Sequence, residues 1–273
     1  VLQMTLSVVL RKAWKNIRPT IARDLWVKKA IWLSYDFFDE VLWDGRKLCF
    51  LLFDISLKPR EFFFLLDSYS YLRELVKYSS FRLSLENNQV VAEINGITVE
   101  ITSAEEIFIA REIFLANDYN FKTCEQVVVV DIGMNVGMAS LFFASRDDVV
   151  HVYGYETFAP TYRQGRRNFD RNPELAAKIT SYNFGLSDSE KVIEVDYDSE
   201  NKGQVGIHGT RLIRSHIKNS IKQQIDLKPV LPELESIISE HYQSDIVCKI
   251  DCEGAEYEIF KDFEKNCIPS SIK

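Results

Sequence analysis

Residues 127–141 read VVVVDIGMNVGMASL. The four valines show no polar alternation, the pattern of a strand buried on both faces of a parallel sheet. The strand ends in Asp131, turns through Gly133 and Gly137, and opens a helix. Glycines at such a turn let a ligand approach the backbone, and the helix N-terminus offers N–H groups to an anion. This points to a nucleotide-like ligand. The plainer alternative is a tight strand-to-helix turn that needs glycine for steric reasons.

Downstream the alternation continues as strand, helix, strand through VVHVYGYE (149–156), TYRQGRRNFDRN (161–172) and KITSYNFG (178–185). Units of this kind imply a parallel sheet flanked by helices. KVIEVDY (191–197) adds a strand, SENKGQVGIHGT (199–210) a glycine-containing loop, LPELESIISEHY (231–242) a helix, and DIVCKID (245–251) another buried strand. Glu156 ends the second strand, 25 positions after Asp131. A carboxylate there can accept hydrogen bonds from both hydroxyls of a ribose, as the acid about 20 positions downstream does in dinucleotide folds. Its alternative is a solvent-exposed loop carboxylate.

Upstream, QVVAEINGITVEIT (89–102) has a period of two around Asn95-Gly96, whose positive φ preference marks a hairpin turn. In the following segment, Ser103 and Glu106 fit a capping box, and Ile107, Ala110, Ile113 and Phe114 form one helical stripe. Residues 5–80 place apolar side chains at helical spacing. The expected division is therefore a helical N-terminal region, 1–80, and an α/β domain, 81–273. Residues 1–30 hold seven basic side chains against Asp24 alone, interleaved with Trp14 and Trp26; with Trp32 these offer a surface to an anionic membrane or partner. Ordinary helices with a solvated basic face are the plainer reading.

The chain has 273 residues, 46% of them hydrophobic, which is enough for a substantial core. A net charge of -7 argues against a general nucleic-acid binder. The five cysteines follow neither disulfide-framework nor zinc spacing, so a reducing, cytoplasmic setting and no metal are expected. No apolar run approaches the roughly 18 residues of a membrane span. An initial Val and an end at SSIK, where a further strand would begin, suggest a fragment lacking C-terminal strands.

Two cofactor classes compete for the turn. A dinucleotide favours G-x-G-x-x-G, with the second glycine against the pyrophosphate, whereas here Asn135 holds that place and Asp131 would repel phosphate. S-adenosylmethionine carries an ammonium and a sulfonium, so acids near the turn suit it.

The chain resembles the FkbM family of S-adenosylmethionine-dependent methyltransferases. VVVVDIGMNVGMASL, VYGYE, the 183–188 segment NFGLSD, KIDCEGAEYEIF (249–260) and the upstream EIFLANDY carry the resemblance, over roughly residues 100 to 265. It implies a class I methyltransferase fold, Rossmann-like. Asp131, Gly133, Asn135 and Gly137 would lie around the methionine part, Glu156 on the ribose, and Leu186 and Asp188 near the adenine. The reaction implied is O-methylation of a small molecule or glycan precursor. The alternatives are a cofactor-binding interaction module without catalysis and, third, an NAD-dependent oxidoreductase.

Methyl transfer to an alcohol needs alignment and a base for the departing proton. Asp251 and Glu253 end the strand expected beside VVVVD and are the candidates for base or acceptor-orienting group, with Lys249 and Glu256 behind them. Glu253 could instead cap the helix starting at Gly254. His208, in the glycine-containing loop, is the one histidine that could face substrate, against the commoner role of an exposed side chain. Arg163, Arg166, Arg167 and Arg171 could contact an anionic acceptor such as a sugar nucleotide, against the commoner role of a solvated helix face.

Overall fold

A computed structural model describes residues 40–43, 47–57, 63–123, 125–197, 221–252, 254–266 and Ile272. Strands β1 (Val41–Trp43), β2 (Leu48–Phe50) and β3 (Ile55–Leu57) form an antiparallel meander, followed by helices α1 (Phe63–Asp67) and α2 (Tyr69–Tyr78). Next come β4 (Phe81–Glu86), β5 (Gln89–Ile94) and β6 (Ile97–Ile101), a second antiparallel sheet, then α3 (Ala104–Arg111) and a π-helical turn, Glu112–Ala116. The remaining elements are β7 (Val127–Ile132), α4 (Met138–Ala144), β8 (Val149–Tyr155), α5 (Ala159–Asp170), α6 (Pro173–Ala176), β9 (Ile179–Tyr182), β10 (Gly185–Ser187), β11 (Lys191–Tyr197), β12 (Ile221–Pro229), α7 (Val230–Glu240), β13 (Asp245–Ile250) and α8 (Glu256–Asn266).

The central sheet is parallel throughout, in the order β13-β7-β8-β9. Because β8 and β13 flank β7 on opposite sides, the strand order reverses at β7. That is the switch point at which open α/β sheets form a crevice beyond their carboxyl ends. The valines do what their lack of alternation implies. Val127 and Val129 enter one apolar core with Leu141, Phe143 and Phe169, and Val128 and Val130 enter another with Leu234, Ile237 and Ile259. The fold is thus mixed α/β with a Rossmann-like parallel sheet.

The hairpin turns at Asn95-Gly96, both with positive φ. Ser103 accepts from the Glu106 N–H at 3.3 Å, while the Glu106 carboxylate reaches back to the Thr102 N–H at 2.6 Å, one residue earlier than in a standard capping box. Helix α5 and the turn that follows it then seal the outer edge of β6 with amide side chains. Asn172 accepts from the Thr98 N–H at 2.9 Å and donates to the Thr98 carbonyl at 2.6 Å. Asn168 accepts from the Glu100 N–H, and Gln164 donates to the Glu100 carbonyl.

The N-terminal region differs from the helical expectation. Within its described part, residues 63–67 and 69–78 are helical, but strands at 41–43, 48–50 and 55–57 form a β-meander. Short apolar runs such as LCFLLF carry too few residues for period to separate strand from helix. The apolar core also runs across position 80, since Val41, Phe50 and Leu72 pack in the same cluster as Val99 and Ile107. DIVCKI neighbours β7 as expected, although it is mostly half-buried rather than buried. Among the described residues no helix is long and apolar enough to cross a membrane.

Candidate functional site

The carboxyl ends of β7, β8 and β13 open into a cavity of about 980 Å³. Gly133 and Asn135 of the turn after β7, Glu156 and Thr157 after β8, Leu186 of β10 and Asp251 after β13 line it. Tyr71 of α2, Phe108 of α3, and Glu112, Asp118 and Tyr119 around the π-helical turn form its far side.

The turn directs its donors inward. Gly133 and Met134 both donate to the Tyr155 carbonyl, at 3.0 and 2.9 Å, and Gly137 donates to the Met134 carbonyl. The Asn135 N–H donates to the Glu156 carboxylate at 3.0 Å. Within the turn, the N–H groups of Gly133, Met134 and Asn135 are thus taken up by the neighbouring strand end, and that of Gly137 by the turn itself. Gly133 and Gly137 serve packing: a Cβ at 133 would lie 2.0 Å from the Asp251 carbonyl oxygen, and one at 137 would lie 2.6 Å from the Phe169 ring. Both have positive φ.

Glu156 is 7% exposed and also accepts from the Phe158 N–H at 2.8 Å. Burial pushes its carboxyl up to about 7, against the opposing pull of these two N–H groups. A carboxylate offers about four lone-pair positions, so about two remain. Two further polar atoms of cavity-lining residues, Asn135 Oδ1 and Thr157 Oγ1, are buried with no hydrogen-bond partner among the described residues. Buried polar atoms left so are uncommon and call for an explanation.

Asp131 is fully buried beneath the turn and does not line the cavity. It accepts from Ser140 at 2.6 Å and pairs with Lys249, whose Nζ lies 3.0 Å from Oδ1 without the alignment of a hydrogen bond. Lys249 donates to the Gly133 carbonyl at 2.6 Å and stands 3.8 Å from Asp251. Burial alone would lower its pKa, but Asp131 and Asp251 outweigh that and hold it above the ordinary lysine value. Asp251 also accepts from the Tyr119 hydroxyl at 3.3 Å. Burial raises that phenol to about 12, so it stays a donor.

Of the residues expected from sequence, Gly133, Asn135, Glu156, Leu186 and Asp251 line one cavity, whereas Asp131 and Gly137 support its floor. Asp188 does not line it and is tied to Lys191 at 3.3 Å. Glu253 and His208 fall outside the described residues. Glu256 braces the loop instead of facing a ligand, accepting from the Cys252 and Gly254 N–H groups at 2.7 and 2.5 Å. Arg163, Arg166, Arg167 and Arg171 do not line the cavity. Arg167 pairs with Glu100 at 2.9 Å, and Arg171 with Glu86 at 2.8 Å.

Tyr119 and Thr157 escaped the sequence reading. Tyr119 lies in the EIFLANDY stretch, and Thr157 directly follows Glu156, but neither type nor spacing marks them. Cys248 and Cys252 also line the cavity. Burial raises both thiols, Cys248 to about 12, which leaves them weak nucleophiles.

No protein-family model matches the chain. A 90-residue stretch is 32% identical to the AMB antimetabolite synthetase AmbE of Pseudomonas aeruginosa; it makes up 32% of this chain and 4% of AmbE. Among solved structures, methyltransferase FkbM from Methylobacillus flagellatus KT superposes with a TM-score of 0.36 at 15% identity, over 55% of this chain and 32% of the other. The chain thus spans a minor part of each relative.

Proposed function

We propose that the cavity binds S-adenosylmethionine and that the chain transfers its methyl group to a hydroxyl oxygen of a small molecule or glycan precursor. The observation that carries this is the Asn135 N–H turned onto the Glu156 carboxylate. A turn in which the Gly133, Met134, Asn135 and Gly137 N–H groups are engaged within the protein, with a carboxylate beside them lining the cavity, offers less to a pyrophosphate. It suits a ligand that presents hydroxyl and ammonium donors.

The residues present fit such a group. Glu156 has lone pairs left for a ribose diol, and Asn135 Oδ1 and Thr157 Oγ1 supply two acceptors without partners. Leu186, Phe158 and Ile132 give apolar walls for a purine. Pockets for drug-sized ligands occupy about 300–1,000 Å³, so about 980 Å³ leaves room for an acceptor as well.

When bound, S-adenosylmethionine supplies an electrophilic methyl on a sulfonium. The chain's own work is positioning and proton removal. Asp251 takes the proton of the acceptor hydroxyl, Tyr119 and Lys249 fix the carboxylate that receives it, and the cavity walls hold the acceptor. Calorimetric titration of S-adenosylmethionine into the chain and into Glu156→Ala tests the assignment. Binding to the parent that is lost in the variant is the expected result; NAD binding in its place overturns it.

A further inference from the structure

The far side of the cavity differs in character from the cofactor side. Tyr71 and Phe108 stand there with ring centroids 5.5 Å apart, and Phe108 is 37% exposed despite its size. Beside them Glu112, Asp118 and Asp251 line the same space with Tyr119. Glu112 feels the other two. Burial raises the Glu112 carboxyl, and Asp118 and Asp251 raise it further, against the opposing pull of Arg111.

The cations nearby are already engaged. Lys249 is held by the Gly133 carbonyl and by Asp131, and Arg111 is paired with Glu74 at 2.5 Å. The surplus on this side is therefore negative. A cleft lined by one sign of charge concentrates ligands of the other sign and rejects its own. Aromatic faces attract the same ligands, since a cation over a ring is drawn to its quadrupole. That the cavity takes a ligand at all is indicated separately by Asn135 Oδ1 and Thr157 Oγ1, buried without partners among the described residues on its other side.

Building on the cofactor assignment for the other half of the cavity, we infer that this half is the acceptor lobe and takes an amine-bearing acceptor: a cationic nitrogen beside Glu112 and Asp118, and an apolar or aromatic body against Tyr71 and Phe108, with Asp251 left to the acceptor hydroxyl. Phosphorylated and carboxylated acceptors, sugar nucleotides included, are excluded by the same charges. Helix α2 thereby gives the N-terminal region a role, because Tyr71 makes it part of the specificity wall.

Three probes that differ in one terminal group test this: 2-phenylethylamine, 2-phenylethanol and phenylacetate, with binding followed by ligand-observed NMR on the full chain at neutral pH and low salt. The amine is expected to bind about tenfold tighter than the alcohol, with phenylacetate weakest. Glu112→Gln/Asp118→Asn, which keeps side-chain size, should bring amine and alcohol together, and Tyr71→Ala should weaken both. Equal or tighter binding of phenylacetate, binding of none of the three, or an amine preference that survives the double variant overturns the inference. S-adenosylmethionine titrated into the same samples separates the two assignments. Cofactor binding without amine preference removes only the lobe, and amine preference without cofactor binding removes only the methyltransferase.

Discussion

Lys249 on β13 and Asp131 on β7 face each other in register, and their charges meet 3.0 Å apart where Asp131 has no exposed surface. This pair joins the two strands that bound the crevice, and it lies directly beneath the glycine turn. Removing one partner of a buried pair leaves an uncompensated charge, which costs about 3–5 kcal/mol. Lys249→Met should lose about that much in urea unfolding, and adding Asp131→Asn should recover part of it. A double variant no more stable than the single one would show that the pair is not a unit.

Glu156 makes stability depend on pH. Its carboxyl is raised to about 7 in the folded chain, above its ordinary value near 4.5, so between these pH values the folded state holds a proton that the unfolded state has released. The contribution is complete below about 4.5, declines as pH rises, and is lost above 7. Its size is on the order of 3 kcal/mol. Glu156→Gln should flatten the fall in urea midpoint between pH 5 and pH 8; an unchanged slope would assign it to other groups.

Gly133 and Gly137 differ in what they obstruct. Positive φ alone strains a non-glycine residue by about 1–3 kcal/mol. At 133 the new Cβ also meets backbone, whereas at 137 it meets a phenylalanine ring. Gly133→Ala should therefore be the more damaging, and Gly137→Ala should be partly rescued by Phe169→Leu. Equal melting temperatures for the two single variants would contradict this.

The Glu256 brace can be read amide by amide. Hydrogen bonds to a charged acceptor contribute about 1.5–3 kcal/mol each. In Glu256→Ala, hydrogen exchange at Cys252 and Gly254 should accelerate at least tenfold while the β7 amides stay protected. Unchanged exchange would leave the brace without energetic weight.

Asp251 carries a kinetic prediction. With any acceptor alcohol that supports turnover, Asp251→Asn should lower kcat by about 10²–10⁴-fold and leave S-adenosylmethionine affinity within a few-fold. A variant that loses affinity and keeps kcat would move Asp251 from base to cofactor holder.

Sequence reading reached the parallel sheet and the crevice because both rest on strong local signals, the unbroken valine strand and the acids at strand ends. Glu156 and Asp251 were legible for that reason. The inward use of the turn's N–H groups was not, since it depends on where the carbonyl of Tyr155 falls across the sheet. Glu256 looked like chemistry because a carboxylate at the start of a helix looks the same in sequence whether it faces a ligand or a backbone amide. The meander at 41–57 was missed because three-residue strands carry almost no periodicity.

Gln164, Asn168 and Asn172 recur every fourth residue, so α5 and the turn that follows it present β6 with a row of amide groups that mimics the backbone of an adjoining strand. Asn168 also donates to the Val136 carbonyl at 2.9 Å. The outer margin of β6 is thereby closed to strand exchange with another molecule, a hazard that exposed sheet edges carry. The same row links the hairpin to the glycine turn, so a substitution at 168 would be felt on both sides at once: as stickiness between copies of the chain, and as slack in the wall of the cavity.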